Sequence, residues 1–158
     1  MFRPLPTYLI KRYRGWKATT FEENKRWYQK LAEEGQRPRF MVISCCDSRV
    51  NITSIFGADS GEFFIHRNIA NLVPPFKKDE ENHGTSAAIE YAVTGLNISN
   101  IIVLGHSSCG GVQNIFPHFS EPEKANYNET IFIHGSLEKL CEYYSKAVSY
   151  THLTLPTK

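Results

Sequence analysis

Two short stretches hold the residue types that carry metal chemistry. The first is Cys45-Cys46-Asp47-Ser48-Arg49, and the second is Gly105-His106-Ser107-Ser108-Cys109-Gly110-Gly111. Thiolates and imidazole are the donors zinc prefers, in tetrahedral geometry. His106 and Cys109 stand three residues apart across a turn and can face one ion. Cys45 can add a third donor from a neighbouring strand end. Cys109 also lies near a predicted helix N-terminus, whose dipole favours a thiolate. Taken alone, an H-x-x-C pair is often a core cysteine beside a surface histidine, and C-x-D-x-R says no more. Their joint occurrence, each directly after an apolar run, is the informative feature. The neighbour of Cys45 in an extended segment points the other way, so Cys46 is not expected as a ligand.

These residues need elements to position them. Residues 39–45, RFMVISC, form a short apolar run that suits a buried strand. Residues 62–66, EFFIH, and 100–104, NIIVL, read as two more strands. A helix is predicted over 84–96, a tight strand-to-helix turn over 105–111, and a further helical pattern over 136–147. Residues 20–34 read as an amphipathic helix, with Thr20 and Glu23 placed as a capping box. Pro4, Pro6 and Gly15 predict an irregular or extended start, and the run from Pro74 through KKDEE predicts an exposed loop. Strands alternating with helices argue for an α/β fold: a mostly parallel central sheet flanked by helices, with an N-terminal helical arm. Ligands of such sheets gather beyond the C-terminal ends of the strands. Cys45, His106 and Cys109 all fall at such ends.

Composition narrows the classes. The chain has 158 residues, the size of one ordinary domain, and is 41% hydrophobic, enough to bury a core. A formal charge of +2 is too balanced to suggest a nucleic-acid or membrane-surface partner. No apolar run approaches the roughly 18 residues of a membrane span. The start, MFRPLPTYLIKRYRGW, has prolines and charges where a signal peptide needs an apolar stretch, so a cytoplasmic location is expected. Four cysteines in such a chain point to metal binding or a reactive thiol before disulfides. Residues 105–111 do not form a dinucleotide-binding glycine loop, and no phosphate-loop lysine follows them.

The stretches CCDSRV (45–50), GEFFIHRNIANLVPP (61–75), AAIEYAV (87–93) and IIVLGHSSCGGV (101–112) together resemble β-class carbonic anhydrases, and the G-Q-x-P pattern at 35–38 resembles the plant-like branch. The resemblance implies zinc (Zn2+) held by Cys45, His106 and Cys109, and a catalytic dyad of Asp47 and Arg49. It implies reversible hydration of carbon dioxide to bicarbonate and a proton by zinc-bound hydroxide. Asp47 would accept a hydrogen bond from that hydroxide, and Arg49 would keep Asp47 ionised and off the metal. In some members the aspartate swings onto zinc and blocks the water site. Two thiolates leave the ion less positive than three histidines would, so hydration is expected to favour alkaline pH.

The resemblance also implies a substrate pocket. Gln36 would hydrogen-bond bicarbonate, and Phe64, Ile69 and Tyr91 would give the apolar wall that suits carbon dioxide. Ordinary core packing is the alternative for Phe64 and Ile69. In the family such sites lie at a dimer interface, so a homodimer or higher homo-oligomer is expected. Cys46 stands where the family usually has Ser or Ala. Val42 stands where bicarbonate-regulated members carry Trp, so no regulatory bicarbonate site of that type is expected near Val42 and Arg67. Carbonyl sulfide or carbon disulfide hydrolysis on the same scaffold, and a non-catalytic zinc module with Asp47 as a fourth ligand, are the alternatives. Residues 1–147 read as a single, incomplete domain of this kind. Residues 148–158, VSYTHLTLPTK, break the helical pattern before them and read as a non-native tail.

Overall fold

A computed structural model describes residues 4–74, 84–113 and 153–155. The chain forms two compact units, Met1–Gln36 and Arg37–Lys158. The predicted helix over 136–147 and the loop after Pro74 lie outside the described residues. No helix among the described residues is long and apolar enough to cross a membrane.

The first unit is helical from its start, which corrects the expected irregular segment. Helix α1 spans Thr7–Trp16, continues as a π-helical turn over Lys17–Phe21, and is followed by α2, Lys25–Glu34. Pro6 sits immediately before α1 with ψ 135°, where a missing N–H costs no helical hydrogen bond. Thr20 is therefore no N-cap: it lies within the helical run, and its carbonyl accepts from the backbone and side-chain nitrogens of Asn24 at 3.1 and 2.8 Å. Asn24 marks the break, and Gly35 ends α2 with φ 76°. Trp16, Phe21 and Tyr28 pack their rings together between the helices, with centroids 5.5–6.3 Å apart. None of the residues of α1 or α2 is buried.

The second unit is a parallel sheet. Strand β1 is Phe40–Cys45, β2 is Phe63–Asn68, β3 is Ile101–His106 and β4 is Leu153–Leu155. Their spatial order is β2-β1-β3-β4, with every pair parallel. β4 falls within the segment read as a tail. Central β1 is buried over Met41–Cys45, and this explains its unbroken apolar run. Its alternate side chains serve two cores. Met41 and Ile43 pack with Ala92 and Ile98 beneath helix α4, Gly84–Glu90, and its π-helical continuation Tyr91–Gly95. Val42 packs on the other face with Val50, Ile52 and Leu104.

The short helix α3, Ile52–Phe56, was not predicted. The Asn51 side chain caps it by accepting from the Ser54 N–H, and Gly57 closes it in the left-handed region at φ 57°. From β1 the chain passes to β2 on one side, then crosses β1 to β3 on the other. That reversal leaves a crevice between the C-terminal tips of β1 and β3, where open α/β sheets bind ligands.

Candidate metal centre

Cys45 is the last residue of β1 and His106 the last of β3. Cys109 follows in the turn that starts a helix at residues 110–113. All three are buried, and one donor atom from each lies within 4.8 Å of the others. The two sulfurs are 3.7 Å apart. Two thiolates on one tetrahedral zinc ion, with bonds of about 2.3 Å, would stand about 3.8 Å apart. The sulfurs are thus spaced for a shared ion, and both cysteines are free.

His106 is oriented for the same purpose. Its Nδ1 lies 3.0 Å from the Ser107 carbonyl, which can only accept, so this nitrogen carries the proton. Nε2 is left as a lone pair, buried and without a hydrogen-bond partner. A buried lone pair without a partner is costly, and a cation between two sulfurs is the group that removes the cost. Burial pushes the Cys109 thiol up, against the backbone N–H groups of Val112 and Gly111. A bound divalent ion reverses that preference, because coordination deprotonates a thiol. Cys46 is exposed and stands outside this group.

Asp47 and Arg49 form a two-pronged pair beside these donors. Arg49 donates to Asp47 Oδ1 from Nε at 2.9 Å and to Oδ2 from Nη2 at 2.7 Å. Its backbone N–H adds a 2.9 Å bond to Oδ1. These bonds hold the Asp47 carboxyl well below the usual carboxylate range. Arg49 Nη2 also donates to the Ser108 carbonyl at 3.1 Å, tying the dyad to the second motif. Ser108, between His106 and Cys109, adopts φ 52°, a left-handed conformation. Asp47 Oδ2 lies 3.8 Å from His106 Nε2, so the carboxylate borders the space where the donors converge.

Sequence reasoning missed the residues behind this layer. Arg67 of β2 donates to the carbonyls of Cys45 at 3.0 Å and Asp47 at 2.8 Å, clamping the backbone of the first motif. The acceptors are backbone atoms, which no side-chain motif reveals. After β2 a tight turn, Ile69–Asn71, places Ala70 against Cys45 and Cys109. Gly111 approaches this turn so closely that a Cβ there would meet Ile69 Cγ2 at 2.8 Å, Ala70 Cβ at 3.0 Å and Ala70 N at 3.2 Å. The backbone contact cannot swing aside. Gly111→Ala is therefore expected to destabilise the fold by about 1–3 kcal/mol, read as a lower melting temperature.

The proposed substrate residues are spread out. Ile69 lies by Gly111 and is 43% exposed. Phe64 pairs with Met41, whereas Asn68 pairs with Cys45. Phe64 thus sits four residues, or roughly 13 Å of strand, below the level of Cys45. It packs against the core and against Tyr91, with ring centroids 5.8 Å apart, while Tyr91 stays 52% exposed. Gln36 is exposed and belongs to the first unit.

His66 on β2 contacts Thr85 Oγ1 of α4 at 3.0 Å, and burial lowers its pKa from 6.5. The unfolded chain therefore binds more protons on the acid side. Stability from neutral His66 is fully present above about pH 6.5 and is lost as pH falls through the lowered folded value. Melts at about pH 7.5 and about pH 5.5 are expected to differ less in His66→Gln than in wild type.

A profile of the family described as carbonic anhydrase matches residues 40–154. The chain belongs to the carbonic anhydrase family, in its β class. It is 46% identical over 99 residues to "Beta carbonic anhydrase 3" of Arabidopsis thaliana, covering 63% of this chain and 38% of that protein. It is 36% identical over 129 residues to the chloroplastic "Beta carbonic anhydrase 5" of the same plant, covering 82% and 42%. The chain thus spans about two fifths of the length of these relatives. Among solved structures, it superposes on the β-carbonic anhydrase CcaA with a TM-score of 0.67 at 30% identity, covering 90% of this chain and 64% of that one. For one of two tetrameric β-carbonic anhydrases from Sordaria macrospora the TM-score is 0.61 at 38% identity, covering 70% and 53%. The α/β fold expected from the sequence is the fold of these structures.

Proposed function

We propose that this chain carries the zinc centre of a carbonic anhydrase and catalyses the reversible hydration of carbon dioxide to bicarbonate. The observation that carries the reading is the convergence of Cys45, His106 and Cys109 on one point, with the buried His106 Nε2 unpartnered. Three protein donors leave a tetrahedral ion one open position, the mark of a catalytic rather than a structural site. Zinc, when bound, supplies a Lewis acid that makes a water molecule acidic near neutral pH.

The chain's own residues do the rest. Cys45 and Cys109 supply two negative charges that balance the ion. The Ser107 carbonyl fixes the His106 tautomer, so that Nε2 is the donor. Asp47 stays ionised and accepts a hydrogen bond from solvent in the open position. Arg49 holds both Asp47 oxygens, which keeps the carboxylate from becoming a fourth ligand. The free thiols suit a reducing, cytoplasmic setting.

We read the active form as a homo-oligomer. The exposed Tyr91 and the distance of Phe64 along β2 from the level of Cys45 support this. Phe64 and Tyr91 would then face a partner's metal centre, with Ile69 completing the pocket for carbon dioxide and bicarbonate. Metal analysis with stopped-flow carbon dioxide hydration tests the assignment. Bound zinc, hydration activity, and loss of both on chelation are expected. A folded chain that takes up no zinc would overturn it.

A further inference from the structure

We infer that Asn68 is a positioning residue for the metal centre, pinned in place by Thr85; the inference rests on the metal-binding reading above. Asn68 ends β2 in register with Cys45, and its carbonyl accepts from the Cys46 N–H at 2.9 Å. Its side chain then reaches across the following turn. The Leu72 N–H donates to Asn68 Oδ1 at 2.7 Å, and Asn68 Nδ2 donates to the Leu72 carbonyl at 2.7 Å. Because the Leu72 N–H can only donate, the amide has one orientation. Nδ2 also donates to Thr85 Oγ1 at 3.1 Å.

The turn so closed is one the backbone resists. Ala70 and Asn71 hold φ values of 61° and 48°, a region that L side chains rarely occupy. Such residues persist where the surroundings over-determine them. Asn68 supplies that determination from both ends of the turn. The result reaches the metal centre directly, since Ala70 is buried against both Cys45 and Cys109. There is no slack on the far side, because Gly111 already brings the helix after Cys109 into close approach to Ala70. A shift of the turn therefore moves the wall behind both sulfurs. Thr85, whose hydroxyl also meets His66 Nε2 at 3.0 Å, anchors the bracket to helix α4. Asn68 touches neither ion nor substrate and acts through the spacing of the sulfurs.

The test uses the full chain loaded with zinc or cobalt. Zinc transfer to a chromogenic chelator reads affinity, and the visible bands of the cobalt form read ligand geometry. Asn68→Ala is expected to weaken zinc binding about 10- to 100-fold, the usual range for a residue supporting a ligand, and to shift the cobalt bands. Thr85→Val is expected to act in the same direction but less, and Thr85→Ser, which keeps the hydroxyl, to restore wild-type values. If Asn68→Ala does not fold, the Thr85→Val and Thr85→Ser pair decides. Variants that melt earlier yet keep the wild-type zinc affinity and cobalt spectrum would overturn the inference and leave Asn68 a purely structural residue. Failure of the underlying reading appears separately, as a wild-type chain that takes up neither metal; that result would also remove this inference.

Discussion

His106→Ala is expected to release the metal and lower carbon dioxide hydration by more than about 10³-fold, well beyond the effect of losing a supporting residue. The imidazole is the sole neutral donor of the three, and the lone pair on Nε2 is buried. Its loss leaves two sulfurs 3.7 Å apart. As thiolates they repel each other, and together they fill only half of a tetrahedral shell. Elemental analysis and a hydration assay on the same preparation check the result. Cys46→Ala is the matched control. Cys46 is exposed and outside the donor group, so its metal content and rate should stay within about twofold of wild type, as for an ordinary surface change. If His106→Ala kept its zinc, the assignment of ligands would be wrong.

The second large effect lies one layer out. Asp47→Ala should keep its zinc and lose activity by about 10²- to 10³-fold, because only the group that orients the reacting solvent is gone. Arg49→Ala should fall as far by another route. It frees both oxygens of a carboxylate whose Oδ2 is already 3.8 Å from His106 Nε2. The released carboxylate then competes for the open position. Since both substitutions disable one device, the double variant should be little worse than either single one. Unchanged turnover in Asp47→Ala would remove that residue from the mechanism. An additive double variant would show that the two residues act separately.

The clustering of Cys45, His106 and Cys109, with the Asp47–Arg49 pair beside them, was legible because these residues sit in two contiguous motifs at the ends of apolar strands. Strand β1 was legible for a related reason: a parallel strand buried on both faces cannot alternate, so RFMVISC stands out. Helix α1 was hidden by Pro4, Pro6 and Gly15, although a proline just before a first turn is compatible with a helix. Helix α3 has only five residues, too few for a periodic signal; its marks were Asn51 and Gly57 at its two ends. The bracing by Arg67 and Asn68 was illegible because their partners are mostly backbone groups, including the Cys45, Asp47 and Leu72 carbonyls. Nothing in side-chain spacing announces which carbonyl a strand will present. Phe64 and Tyr91 entered only through the family resemblance, and the strand register sets Phe64 apart from Cys45 within one chain.

Cys45 and Cys109 are 64 residues apart along the chain. An ion shared between them would fasten a long loop shut, much as a covalent crosslink does. Loop-closure entropy for that length is worth roughly 4 kcal/mol by the chain-entropy estimate, a large part of what a domain of this size has to spare. A catalytic ion placed there therefore doubles as a removable staple. Metal supply would then govern how long the folded chain survives as well as how fast it turns over.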